Sequence, residues 1–139
     1  IHTYVWGGSS SANARRVAAM ENDALEFEVE GGDDALEFIM RDLQVNEHNR
    51  ESTILANYVQ NAGAAVHPGA NRGVDQANFH VLRNANRPAV LIEAGFATNR
   101  NDARFLDSVT GQRRLADAIA NGIVEYLREY ESKLLSSSQ

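Results

Sequence analysis

The chain has 139 residues, 43% of them apolar, a formal net charge of −6 and no cysteine. That length suits one domain with a buried core. The acidic balance disfavours a general nucleic-acid binder or a partner of anionic membranes. The missing thiols exclude disulfides, cysteine nucleophiles and thiolate metal sites, and no stretch approaches the ~20 apolar residues of a membrane span.

In chain order, Ile1-His2-Thr3-Tyr4-Val5-Trp6 is β-rich from its first residue and is ended by Gly7-Gly8, so residues 2–6 read as a strand. A chain that opens in mid-strand, with neither initiator methionine nor signal sequence, is expected to be a piece of a longer protein whose signal peptide lies upstream. Ser9 to Ser11 offer N-caps for a helix over 12–22, with Ala14, Val17, Ala18 and Glu21 on one face. Leu25, Phe27 and Val29 then alternate with glutamates, as in a short half-exposed strand or a frayed helix end, before Gly31-Gly32 breaks the run. Asp33 or Asp34 caps a helix carried by Leu36, Ile39, Met40 and Leu43. Polar residues 44–50 read as an interruption. A second helix begins near Ser52, with Leu55, Tyr58, Val59 and Ala62 on one face and Gly63 as its stop.

Residues 63–76 are rich in turn formers, and 78–82, with Phe79 and Val81, read as a strand. Residues 89–93 form an apolar run between Pro88 and Gly95, the pattern of a strand buried on both faces. Asn99 caps a short helix with Asp102 at its third position. Thr110 opens the last helix, where Leu115, Ala118, Ile119, Ile123, Tyr126, Leu127 and Tyr130 share a face. Residues 136–139 make a polar tail expected to be disordered. Strands alternating with helices give an α/β fold with a mixed, partly parallel sheet flanked by helices.

Glu93 is the residue that asks for an explanation. A carboxylate at the end of a buried strand costs several kcal/mol unless it is paired, so either backbone N–H groups satisfy it or it has chemical work to do. The four histidines, His2, His48, His67 and His80, lack a partner at i+3 or i+4 on a helix and read as surface or structural residues. No G-x-S-x-G elbow places a serine nucleophile, and the paired glycines do not form a phosphate loop. Arg83, Arg87, Arg100 and Arg104 flank the strands around Glu93, either as solvated edges or, if they converge on a cleft, as anion-binding groups. The residues alone give no complete active site.

Val81-Leu82-Arg83 followed by Pro88-Ala-Val-Leu-Ile-Glu-Ala-Gly-Phe-Ala-Thr-Asn99 resembles the C-terminal block of the zinc-dependent N-acetylmuramoyl-L-alanine amidases, bacterial cell-wall hydrolases. The likeness continues in His2-Thr-Tyr-Val5, in the helix ending Met20-Glu-Asn22, in Arg50 to Gln60 and in Leu115 to Ile123. It implies that residues 1–135 are the C-terminal portion of a single catalytic domain whose sheet is incomplete on its N-terminal side. It assigns Glu93 the catalytic glutamate position, where it exchanges a proton with a zinc-activated water attacking the amide between muramic acid and L-alanine. The family's zinc ligands, two histidines and a glutamate, are expected upstream of Ile1. His2 is the alternative for the last of them, although its Thr-Tyr-Val context fits the following strand better. This chain by itself is then expected to be inactive.

Arg83 and Asn99 are the candidates for substrate binding. Some family members carry a helix that covers the site until an activator protein withdraws it. The helix near 33–43 occupies a similar place, either with Asp33, Asp34 or Glu37 reaching toward the metal or as an ordinary packed helix with solvated acids. Peptidoglycan is the implied substrate, and the cell envelope, periplasmic or extracellular, the implied location. The competing reading is a non-catalytic cell-wall-binding or regulatory domain derived from such an amidase.

Overall fold

The computed structural model describes residues 1–8, 11–23, 35–83 and 85–137. Its central element is β1 (His2–Trp6), flanked in a three-stranded sheet by β2 (Val74–Ala77), parallel to it, and β3 (Leu91–Glu93), antiparallel to it. The sheet is therefore mixed, as expected. The strand sheltered on both faces is β1 rather than the run after Pro88. Tyr4 packs on one face with Ala77, Phe79, Ala14, Val17 and Ala18, while Thr3 on the other donates its hydroxyl to Gln60 Oε1 at 2.8 Å. β3 is short and half-buried because it lies at the sheet edge, paired among the described residues with β1 alone.

Helix α1 (Ala12–Asp23) begins where the serines predict: Ser11 Oγ accepts from the Ala14 N–H at 3.0 Å, satisfying one of the helix's free donors. Ala14, Val17 and Ala18 are its buried face, and Glu21 is exposed. The alternating segment 25–29, like Asp33 and Asp34, lies outside the described residues.

The expected pair of helices is instead one, α2 (Ala35–Val66). Residues 44–50 contain neither glycine nor proline, so their polarity does not break the backbone. Gly63 does not stop the helix either. A β-carbon there would sit 2.5 Å from Ile1 Cδ1, so the glycine serves the close approach of the start of β1. The helix ends just before His67, which the ring of Pro68 pushes out of helical geometry.

Residues 78–82 are not a strand. The strand of this region is β2, and His80–Arg83 form a short helical turn, α3. Phe79 and Leu82 are buried and three apart, a helical spacing, while Val81 is 62% exposed. Asn22 at the end of α1 holds the turn, accepting from the His80 N–H at 2.9 Å and donating to Asn78 O at 2.7 Å.

α4 (Arg100–Asp107) and α5 (Val109–Ser137) complete the chain. Ser108 caps α5, accepting from the Gly111 N–H at 3.0 Å, so this helix starts one residue earlier than predicted. Its buried face is Gly111, Leu115, Ala118, Gly122 and Tyr126, whereas Ile123, Leu127 and Tyr130 are exposed. The reason is the crossing with α2. At Gly122 the backbone of α5 nearly touches that of Tyr58 and Val59, which rotates the glycine side of the helix inward. Of the expected disordered tail, Ser136 and Ser137 continue or end the helix, their hydroxyls bonded to Lys133 O and Leu134 O.

Candidate active site

The β1–β3 register sets His2 directly opposite Glu93, and the β1–β2 register sets Tyr4 beside Asp75. Paired residues share a sheet face, as do alternate residues of one strand. His2, Tyr4, Asp75 and Glu93 thus form one polar patch on the face that α1 covers. Asp75 comes from a strand 70 residues away in sequence, so only the folded sheet assembles the group.

Within the patch, Tyr4 Oη and His2 Nδ1 are 2.8 Å apart and the two rings 4.2 Å apart. His2 is 4% exposed, and burial lowers its pKa, favouring the neutral ring. His2 Nε2 faces Asp75 Oδ2 across 3.6 Å, too far for a direct hydrogen bond. A neutral imidazole carrying its proton on Nε2 suits both neighbours, because the tyrosine hydroxyl then donates to Nδ1 and the N–H points at the carboxylate. Asp75 in turn accepts from Ser11 Oγ at 3.1 Å, which ties the patch to the cap of α1.

Glu93 Oε2 is enclosed and has no hydrogen-bond partner among the described residues. Burial is the main cause raising the pKa of its carboxyl, with the charge of Glu21 adding to it, while Arg72 opposes the shift. The tyrosine hydroxyl of Tyr4 is likewise pushed up, first by burial and then by the charges of Glu93 and Asp75. The Glu93 carboxyl thus holds its proton more tightly than an ordinary carboxylate and keeps one enclosed oxygen without a partner among the described residues.

The turn after Glu93 is fixed from behind. Phe96 N donates to Asp102 Oδ2 at 3.0 Å, and Asn99 N donates to Phe96 O at 2.9 Å. Asn99 Oδ1 accepts from the N–H groups of Asn101 and Asp102. The expected cap is present, but Asp102 reaches back past Asn99 to Phe96 instead of closing a capping box. β-Carbons at Gly69 and Gly95 would meet Asp102 at 2.6 and 3.0 Å, so both turns lie tight against this buried side chain. His67, 6% exposed, completes the support: Nδ1 accepts from the Gly69 N–H at 3.0 Å and the ring stands edge-on to Phe105.

The structure keeps the candidate residues of the sequence apart. Asn99 stands at the Glu93 end, its side-chain oxygen engaged in the cap. Arg83 ends α3 and lines a small cleft with Trp6, Ser52 and Arg87. That cleft is at the far end of β1, roughly 13 Å along the strand from His2 at ~3.3 Å per residue. Asp33 and Asp34 lie outside the described residues, and Glu37 falls on α2 with its side chain likewise outside them. The side-chain cation whose charge acts on Glu93 is Arg72, from the turn-rich loop, which no sequence pattern singled out. Among the described residues no group of three or more His, Asp or Glu could hold a metal ion. His2 is bound up with Tyr4 and Asp75, and the described residues do not by themselves fit a zinc site.

Comparison with known proteins finds relatives over most of the chain. Over 129 residues, 91% of this chain and 45% of the relative, the sequence is 30% identical to N-acetylmuramoyl-L-alanine amidase AmiA of Salmonella typhimurium. It is 29% identical over 135 residues to AmiA of Escherichia coli, covering 95% of the chain and 47% of that protein. With N-acetylmuramoyl-L-alanine amidase AmiC of Neisseria meningitidis it shares 29% identity over 123 residues, 86% of the chain and 29% of the relative. The chain spans less than half the length of each of these relatives. The profile of the N-acetylmuramoyl-L-alanine amidase family matches residues 1–125, and the chain belongs to that family.

Proposed function

We propose that the protein carrying this chain hydrolyses the amide bond between N-acetylmuramic acid and the L-alanine of the peptidoglycan stem, with Glu93 as its proton carrier. The observation that supports this reading most directly is the Glu93 carboxyl. It is half-buried beside His2, it has one oxygen without a partner among the described residues, and burial raises its affinity for a proton. Amide hydrolysis needs a group that takes a proton from the attacking water and delivers one to the departing nitrogen. Burial favours the protonated form of Glu93, as a group that must also deliver a proton requires, and the Asp102–Phe96 and Asn99 contacts hold the turn that follows it. Zinc dependence belongs to the proposal only as an implication of the family resemblance, since no three-ligand site exists among the described residues. The role of Glu93 therefore rests on its carboxyl alone. A peptidoglycan substrate would locate the protein in the bacterial cell envelope. No helix among the described residues is long and apolar enough to cross a membrane.

The test is Glu93→Gln in the full-length protein, with release of stem peptides from purified peptidoglycan followed by chromatography and mass spectrometry. The amide keeps the shape and loses the proton transfer, so the rate should fall by roughly 10²–10⁴-fold with metal content nearly unchanged. Activity within a few-fold of wild type would remove Glu93 from the chemistry. Loss of zinc together with activity would make it a ligand instead.

A further inference from the structure

We propose that Arg72 recognises a carboxylate on the stem peptide one residue beyond the bond that is cut, and so sets the enzyme's preference between acidic and amidated stems. The inference rests on the amidase reading above and names a specificity residue within the same site.

Three observations place Arg72 there. Its backbone N–H donates to Ile1 O at 3.0 Å, which seats it beside the start of β1 on the β2 side, at the same end of the sheet where Glu93 pairs with His2 from the other side. Its guanidinium carbon lies 5.1 Å over the centre of the Phe96 ring, a cation–π distance, and Phe96 is held in turn by the Asp102 bond to its N–H. The side chain is exposed, and no carboxylate among the described residues pairs with it within 4.0 Å. Its charge nevertheless reaches the patch, opposing the rise at both Glu93 and Tyr4. The result is a guanidinium steadied on an aromatic platform, open to solvent, at the edge of an otherwise acidic cluster.

Such a group does two things for an incoming substrate. It offsets the repulsion that Glu93, Asp75 and Glu21 would exert on any anion. It also presents a planar fork of N–H donors suited to a carboxylate. The stem residue after L-alanine carries a free carboxylate or its amide. One residue of extended chain is about 3.5 Å long, and the guanidinium rests on Phe96, three residues past Glu93, which directs it to a group just beyond the scissile amide.

The experiment compares two soluble muramoyl-peptides, identical except that the second stem residue bears a carboxylate in one and a carboxamide in the other. Both are cleaved by the full-length wild type and by the Arg72→Ala and Arg72→Lys variants. The wild type should prefer the carboxylate. Arg72→Ala should lower kcat/KM for it by roughly 10- to 100-fold more than for the carboxamide, the value of a lost charge-assisted hydrogen bond. Arg72→Lys, with charge but no fork, should fall between. An equal loss on both substrates would mean that Arg72 acts only through Glu93, and the inference would be wrong. A wild type that cleaves both without preference would also overturn it while leaving the amidase reading intact. A wild type that cleaves neither would defeat the amidase reading itself.

Discussion

Gly122 offers the sharpest test of how α2 and α5 pack. In an ordinary helix interior, Gly→Ala stabilises by about 1 kcal/mol because alanine loses less backbone entropy. Here the added β-carbon would lie 2.9 Å from Tyr58 O, 3.0 Å from Val59 Cα and 3.1 Å from Tyr58 C. All three are backbone atoms of the neighbouring helix and cannot swing aside, so the helices must part by several tenths of an ångström. That separation loosens Leu115, Ala118 and Tyr126 on the same face, and it lengthens the Tyr58–Glu129 and Tyr126–Glu51 hydrogen bonds that span the crossing. Overpacking of this kind costs about 1–3 kcal/mol. Against a propensity gain of about 1 kcal/mol, the balance for Gly122→Ala is a net loss of about 0–2 kcal/mol, or a Tm lower by up to several degrees. The assay is thermal unfolding of the full-length protein followed by circular dichroism. Gly8→Ala serves as control, since nothing lies within 4 Å of its β-carbon position. A Tm for Gly122→Ala above that of wild type would refute the reasoning, because propensity would then outweigh contact.

Two further outcomes follow from the site. Asn99→Ala leaves the N–H groups of Asn101 and Asp102 without their acceptor and should cost about 1 kcal/mol. In urea titration it should appear as a lower midpoint at unchanged slope, and an unchanged midpoint would show that water replaces the cap. The raised carboxyl of Glu93 predicts a pH effect of definite sign. Its folded pKa lies above the unfolded value of about 4.5, so its contribution to stability is complete below pH 4.5 and is lost as pH rises through the folded pKa. Glu93→Gln removes that loss. The stability of the variant relative to wild type should therefore climb with pH above about 4.5, and a difference that stays flat from pH 4 to 8 would show that the carboxyl is not perturbed in the folded protein.

What the sequence determined by itself is local. The strand at residues 2–6, the serine start of α1, the Asn99 cap and the carboxylate closing the apolar run after Pro88 all depend on neighbours within a few residues. Alternation, capping chemistry and turn formers register such neighbours directly. The resemblance to cell-wall amidases rests on that same stretch. Only the tertiary structure decided the rest. Gly63 lies inside α2 because Ile1 needs its space. The buried face of α5 was misread because a helix with apolar residues on more than half its circumference has no single inward side until a partner selects one. Gly122 against Tyr58 and Val59 made that selection. The site shows the same division. Glu93 could be singled out from its own run of residues. Its neighbour His2, and Asp75 and Arg72 from the segment on the other side of β1, arrive through strand register and loop closure between distant segments, and no periodicity within one segment encodes such pairings.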